Sequence, residues 1–229
     1  RDGIQNELKI LSLNTKLELI QRGLDAGLRR FEVTSFVNPK RVPQMADADD
    51  VVQSLPKQEG TQYIGLVLNQ RGFDRAIASG VDQINCTTVA SETFCQRNQG
   101  SSVAQMDDAI NSMVIAAREQ NVFFGVTIGA SFGCPFEGEI EPSHVAQMAQ
   151  RFADLGVDEI SLADTIGVAA PSDVSRLLEL VVPVVGDVPL RMHFHNTRNT
   201  GVANVYAAIQ AGIRIFDASC GGVGGCPFA

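Results

Sequence analysis

Histidine is scarce in this chain. The 229 residues hold three, and two of these, His193 and His195, stand two positions apart. Basic residues are outnumbered: 18 Lys and Arg face 26 Asp and Glu, a net charge of −8. That balance argues against a general nucleic-acid binder, and an anionic ligand would need a local basic cluster. No apolar run approaches the roughly 20 residues that span a bilayer, so no membrane partner is expected. The cysteines Cys86, Cys95, Cys134, Cys220 and Cys226 are odd in number and form no C-x-x-C pair. This argues against a disulfide scaffold or zinc module and suits the bacterial cytoplasm or another reducing compartment, with a mitochondrial matrix as an alternative. No signal-peptide pattern is visible and position 1 is not Met, so an N-terminal segment is expected to precede Arg1.

What is present is a core. Hydrophobic residues make up 45% of the chain. Arg1–Glu7 is polar and reads as a loop. Leu17, Ile20, Leu24 and Leu28 have helical spacing and stop near Gly27. Strands are expected at 31–36, 63–68, 83–89, 123–130, 159–163, 189–195 and 213–219. Helices fall between them, near 48–55, 73–79, 102–120, 145–155, 174–181 and 202–209. Strict alternation implies a parallel sheet. A doubly wound sheet is one solution. A (β/α)8 TIM barrel suits the pattern better, because polar residues recur at strand carboxyl ends, where barrel active sites lie. In a barrel, the first strand would precede Arg1 and the last helix would follow Ala229. No composition shift marks a second domain, so residues 1–229 read as a single barrel domain lacking both ends.

The strand Pro189–His195 organises the reading. Its side chains alternate, so Leu190, Met192 and Phe194 share one face and Arg191, His193 and His195 the other. Two imidazoles side by side suit one divalent metal, or equally a hydrogen-bonded pair within a polar lumen. In a barrel, Asp2, Glu32, Asp164, His193 and His195 all reach the same end, which makes a mixed oxygen and nitrogen donor set. Asp2 also reads as a turn or cap residue, Asp164 as a turn residue, and Cys226, like Cys86 and Cys220, as a small inert apolar residue. An ionised Glu32 inside a barrel needs a partner. Gly221–Gly225 precedes no Lys-Ser/Thr, so it reads as a mobile loop and not a P-loop. His144, before a helix, reads as a surface residue.

Six stretches in order resemble the 3-hydroxy-3-methylglutaryl-CoA (HMG-CoA) lyase family. They are Arg1-Asp2-Gly3-x-Gln5-Asn6-Glu7, Glu32–Lys40 with Val42–Asp47, Gly133–Gly138, Asp164-Thr165-Ile166-Gly167, His193-x-His195 and Gly224–Ala229. The resemblance implies that Asp2, His193 and His195 hold Mg2+ or Mn2+, with an Asn ligand beyond the last residue. It implies retro-Claisen cleavage of HMG-CoA, or a close 3-hydroxy-3-alkylglutaryl-CoA, to acetyl-CoA and acetoacetate or its analogue, as in leucine degradation and ketone-body metabolism. Arg1 would stabilise the thioester enolate, Cys226 would protonate it, and Glu32 and Asp164 would orient groups or relay protons. His193 would then be both ligand and catalytic group. Asn98 and Arg97 would contact coenzyme A. A homo-oligomer is expected.

The sequence departs from the family at Asn196-Thr197-Arg198-Asn199, where Asp-Thr-Tyr-Gly is usual, and at Ala163, where Gly is common. Both sit beside the histidines and bear on which acyl-CoA is accepted. A bond-forming acyl-CoA synthase of the same superfamily is one rival reading, and a non-catalytic acyl-CoA-binding barrel is another.

Overall fold

The computed structural model describes residues 1–225. Its centre is one parallel sheet in sequence order: β1 (Arg30–Ser35), β2 (Gln62–Val67), β3 (Gln83–Val89), β4 (Phe123–Gly129), β5 (Glu159–Asp164), β6 (Leu190–Phe194) and β7 (Ile215–Phe216). All six neighbouring pairs are parallel. Helices α1 (Asp2–Gln5) and α2 (Leu13–Asp25) come before β1, and α3 (Ala48–Gln53) and α4 (Gln70–Ser79) flank β2. Then come α5 (Glu92–Gln99), α6 (Val103–Glu119), α7 (Pro142–Leu155), α8 (Pro171–Val185) and α9 (Gly201–Gln210).

The sheet curls into a half-barrel, and one ion pair demonstrates it. Strands sit about 4.8 Å apart, so β1 and β5 would lie on the order of 19 Å apart in a flat sheet. Yet the Arg30 guanidinium donates to both carboxylate oxygens of Glu159, at 2.7 and 3.0 Å. The two side chains meet inside the curl. The helices cover the outside, where Phe73, Phe124, Phe152, Ile110 and Met148 are fully buried between helix and sheet. Helix α6 carries Met106, Ile110, Met113, Val114 and Ala117 on its buried stripe, as its spacing predicts, and it opens with a Ser102–Gln105 capping box.

Three local expectations are corrected. Arg1–Glu7 is not a plain loop: α1 makes a helical turn, with Arg1 O accepting from Ile4 N and Gln5 N. Helix α5 has no clear apolar stripe, burying only Phe94 and Cys95, and so is silent in the periodicity; the Ser91 side chain caps it. The last strand is two residues long rather than seven, paired only through Arg191↔Ile215 and Met192↔Phe216. One irregularity lies in β1. Its register slips between Glu32 and Thr34, which pair with the consecutive residues Ile64 and Gly65, leaving Val33 as the extra residue of a bulge.

Candidate metal centre

The carboxyl ends of the strands gather the site. Strand alternation on β6 puts Arg191 and His193 inside the curl, and His195 follows just past the strand end. Across the opening, α1 brings in Asp2. One donor atom from each of Asp2, His193 and His195 lies within 4.8 Å of the others. The two imidazole Nε2 atoms are 3.0 Å apart. The Asp2 Oδ2 atom is 3.7 Å from the Nε2 of His195 and 3.9 Å from that of His193.

These donors fit a divalent cation. Two ligands at right angles about an ion at about 2.1 Å would stand about 3 Å apart, the observed edge between the imidazoles. A carboxylate with two imidazoles is a donor set for Mn2+ or a related hard-to-borderline ion. Two nitrogen lone pairs aimed at one point repel unless a proton or a cation lies between them.

Arg1 stands beside this cluster. Its Nε donates to Glu32 at 2.7 Å and its Nη1 to Asp2 at 3.1 Å. A second acceptor, Gln5 Oε1, lies 3.3 Å from Nη1, and Ser35 Oγ donates to the same oxygen. Glu32 thus has the partner that a carboxylate inside a curled sheet requires. Burial works against the Arg1 cation, but Glu32 and Asp2 overcome it and hold its pKa above the ordinary value. Burial likewise opposes ionisation of Asp2. The His195 hydrogen bond and the charges of Arg1 and His193 win, and Asp2 lies well below the usual carboxylate range. His193 is raised: burial opposes the imidazolium, and its bond to Asp217 with the charges of Asp217, Asp2 and Glu32 outweighs this.

Asp164 occupies a different position. It is buried, and its two carboxylate oxygens accept from Val168 N and Ala169 N, each at 3.0 Å. Burial raises its pKa, with those two N–H groups pulling the other way. It shapes the loop after β5, and it is not among the three clustered donors. Gly167 in that loop has φ +65°, and a Cβ there would lie 2.8 Å from Thr197 N, so the β5 loop seats directly on the segment after His195.

The glycine-rich stretch approaches the site from the other side. A Cβ on Gly224, at φ +108°, would lie 2.7 Å from the Gly3 Cα and 2.9 Å from the Asp2 carbonyl oxygen. Asn6 Nδ2 donates to the Gly225 carbonyl. Cys226 lies outside the described residues. Cys220, expected to be inert, is exposed, whereas Cys86, Cys95 and Cys134 are buried.

Arg97 and Asn98 lie on α5, away from the three-donor cluster in sequence and held by another loop. The Arg97 guanidinium stacks on Phe136 at 4.2 Å from the ring centre, and Glu137 accepts from Thr93 N at 2.6 Å. The Gly133–Gly138 stretch therefore docks α5, with Cys134 Sγ 3.0 Å from Ser91 Oγ. His144 is exposed.

Residues that the motifs did not single out complete the interior. Asp217, just past β7, lies 2.9 Å from His193 Nδ1 and 3.1 Å from Arg191 Nη1. Arg191 is buried and also pairs with Glu159. Asp217 carried one signal: an acid two residues beyond an apolar strand position, at a strand's carboxyl end.

The HMGL-like family model matches residues 1–226. An (R)-citramalyl-CoA lyase from Chloroflexus aurantiacus is 42% identical, over 100% of this chain and 75% of that one. A hydroxymethylglutaryl-CoA lyase from Pseudomonas mevalonii is 38% identical, over 100% of this chain and 76% of that one. Among solved structures, an HMG-CoA lyase from Acinetobacter baumannii, in complex with coenzyme A and 3-methylmalate, is 36% identical with a TM-score of 0.96. That alignment covers 100% of this chain and 75% of the other.

Proposed function

This chain belongs to the HMGL-like family of lyases, and on that basis we propose that it is a divalent-metal-dependent carbon–carbon lyase acting on HMG-CoA or a close 3-hydroxy-3-alkylglutaryl-CoA. The observation that carries the reading is the Asp2–His193–His195 cluster with Arg1 beside it. Asp2, His193 and His195 are the residues that would hold Mg2+ or Mn2+. An ion held there would supply Lewis-acid polarisation of the substrate's oxygens.

The chain's own groups supply the rest. Glu32 or Asp164 takes up the hydroxyl proton, the alkoxide electrons form the ketone as the adjacent carbon–carbon bond breaks, and the electrons of that bond are left as a thioester enolate. Arg1, fixed by Glu32 and always cationic, stabilises the enolate oxygen. The Cys226 thiol returns a proton to the enolate carbon, giving acetyl-CoA beside acetoacetate or its analogue. Glu32 aims Arg1. Asp164 orients the loop under the substrate. Arg97 and Asn98 contact the coenzyme A portion from α5.

A second substrate, (R)-citramalyl-CoA, is favoured by the 42% identity to the Chloroflexus enzyme, and the departure at Asn196–Asn199 bears on which acyl group is accepted. Arg198 in that segment reaches the Val168 carbonyl and lines a cavity of about 430 Å3 with Phe132, Ile166 and Arg176. Both substrates are coenzyme A esters that release acetyl-CoA on cleavage. The test is acetyl-CoA release from each, with and without Mg2+ or Mn2+. Metal-stimulated turnover of either supports the reaction class, and their kcat/KM ratio assigns the substrate. Coenzyme A esters bound without turnover would overturn the reading.

A further inference from the structure

Four charged side chains run in a line through the interior and end on a candidate metal ligand. Arg30 holds Glu159 with two hydrogen bonds. Glu159 lies 3.1 Å from Arg191 Nε. Arg191 Nη1 donates to Asp217 Oδ1 at 3.1 Å, and its Nη2 donates to Asn85 Oδ1 at 3.1 Å. The far carboxylate oxygen, Asp217 Oδ2, is 2.9 Å from His193 Nδ1.

Direction follows from donor chemistry. Arginine only donates and an ionised carboxylate only accepts. Asp217 Oδ1 is therefore committed to Arg191. Asp217 Oδ2 accepts whatever His193 Nδ1 gives, which forces the proton onto Nδ1. The remaining lone pair then sits on Nε2, the atom that faces His195 and Asp2. Arg191 is itself fixed from two sides, by Glu159 and by an Asn85 side chain that exchanges hydrogen bonds with Thr127 at 2.9 and 3.2 Å.

We infer that Asp217, anchored by Arg191, is the positioning residue of the metal centre: it selects the Nδ1–H tautomer of His193 and aims its Nε2 lone pair at the cluster. The inference rests on the metal reading above and adds to it the residues that set its ligand.

The decisive variant is the isosteric one. In Asp217→Asn the amide oxygen stays on Arg191, which has no acceptor to offer the NH2 group. The NH2 group then faces His193 Nδ1, which must accept. The imidazole proton moves to Nε2 and blocks the lone pair that a metal needs. Asp217→Ala removes the constraint without reversing it, so the ring can still present Nε2. The isosteric change should therefore do more harm than the truncation, an order that a purely structural role does not give.

The experiment is long-range 1H–15N correlation of the imidazoles in the metal-free protein, at a pH well above the ordinary imidazole pKa of about 6.5. It is paired with Mn2+ titration. With three histidines in the chain, assignment needs two variants, one at His144 and one at His195. Wild type should show His193 as Nδ1–H, Asp217→Ala a mixture, and Asp217→Asn the Nε2–H form. Mn2+ affinity should fall about tenfold in Asp217→Ala and a hundredfold or more in Asp217→Asn, with Asp217→Glu recovering part of it. An unchanged His193 tautomer in Asp217→Asn, or equal affinity in all variants, would overturn the role. If wild type takes up no Mn2+, the metal reading falls and this role with it. The tautomer spectra separate that outcome from a failure of the Asp217 assignment alone.

Discussion

The Nε2 atoms of His193 and His195 face each other across 3.0 Å. Both rings come from one strand end, so their separation is set by the strand repeat and not by chance contact of loops. Asp2 completes the set from a distant part of the chain. Replacing His195 or Asp2 with Ala should remove tight Mn2+ binding, because two donors rarely hold such an ion against water. Neither residue is deeply packed, so the far-UV circular dichroism and melting temperature should stay near wild type. Titration by calorimetry checks both halves, and retained affinity in either variant would remove that residue from the set.

Protons compete for the same atoms. His193 binds its proton more tightly than an ordinary imidazole, despite burial, because Asp217, Asp2 and Glu32 surround it. A metal ligand must be unprotonated. Metal affinity should therefore be full above the raised His193 pKa and fall as pH drops through it, starting at a higher pH than a free histidine would give. Apparent Mn2+ Kd measured across a pH series reads this directly. A curve centred below the ordinary imidazole value would contradict it.

Glu159 sits between two guanidiniums, with 3% of its side chain exposed. Removing it leaves Arg30 without its carboxylate and the buried Arg191 with Asp217 as its remaining acid partner. Breaking one side of a buried ion pair costs roughly 3–5 kcal/mol. Glu159→Ala should lose stability of that order by urea denaturation. Glu159→Gln should lose less, since the amide oxygen still accepts from Arg30. Equal losses would mean that the hydrogen bond kept by the amide adds nothing and that the lost charge alone sets the cost.

Thiol reactivity should divide sharply. Burial pushes Cys86 up to about 12, and burial, with Glu92 and Asp107, pushes Cys95 up to about 11. At neutral pH neither offers an appreciable thiolate. Iodoacetamide should modify Cys220 and Cys226 well before Cys86, Cys95 and Cys134, and a bound acyl-CoA should protect Cys226 selectively. Peptide mapping after timed labelling gives the order, and early modification of Cys86 would contradict the buried environment.

Gly167 offers a test of how the loops meet. Gly167→Ala places a side chain at positive φ against Thr197, a strain on the order of 1–3 kcal/mol. The loop after β5 should shift away from the segment following His195. Turnover should fall more than stability does, and comparison of kcat/KM with the melting temperature checks this. A large loss of stability with unchanged kcat/KM would separate the loop from the site.

The helix and strand positions were legible wherever burial is one-sided. Met106, Ile110, Met113 and Val114 mark α6 because a single stripe meets the sheet. The alternation of Leu190, Met192 and Phe194 against Arg191, His193 and His195 marks β6, because opposite faces meet different surroundings. Helix α5 was not legible: only Phe94 and Cys95 of its residues are buried, too few to set a period. The last strand was drawn too long, since Ile213–Ser219 has apolar spacing but only Ile215 and Phe216 pair. The donors Asp2, His193 and His195 were found from motif and strand periodicity together. Asp217 was not, because its role depends on a partner 24 residues away that only sheet register brings close. The Arg30–Glu159 pair spans 129 residues and leaves no local trace at all.

The extra residue in β1 changes the phase of that strand. Arg30 and Glu32 face inward by ordinary alternation, and regular pairing would turn the next odd position, Ser35, outward. With Val33 out of step, Ser35 pairs opposite Leu66, on the same face as Ile64, and turns inward again. One strand thus presents two polar side chains to Arg1: Glu32 directly, and Ser35 through the Gln5 amide that both Ser35 and Arg1 touch. Deleting Val33 would leave Glu32, Thr34 and Ser35 opposite Ile64, Gly65 and Leu66 in plain alternation, with Ser35 still turned to Gln5; the cost would fall on the opposite face, where the Val33 side chain is buried.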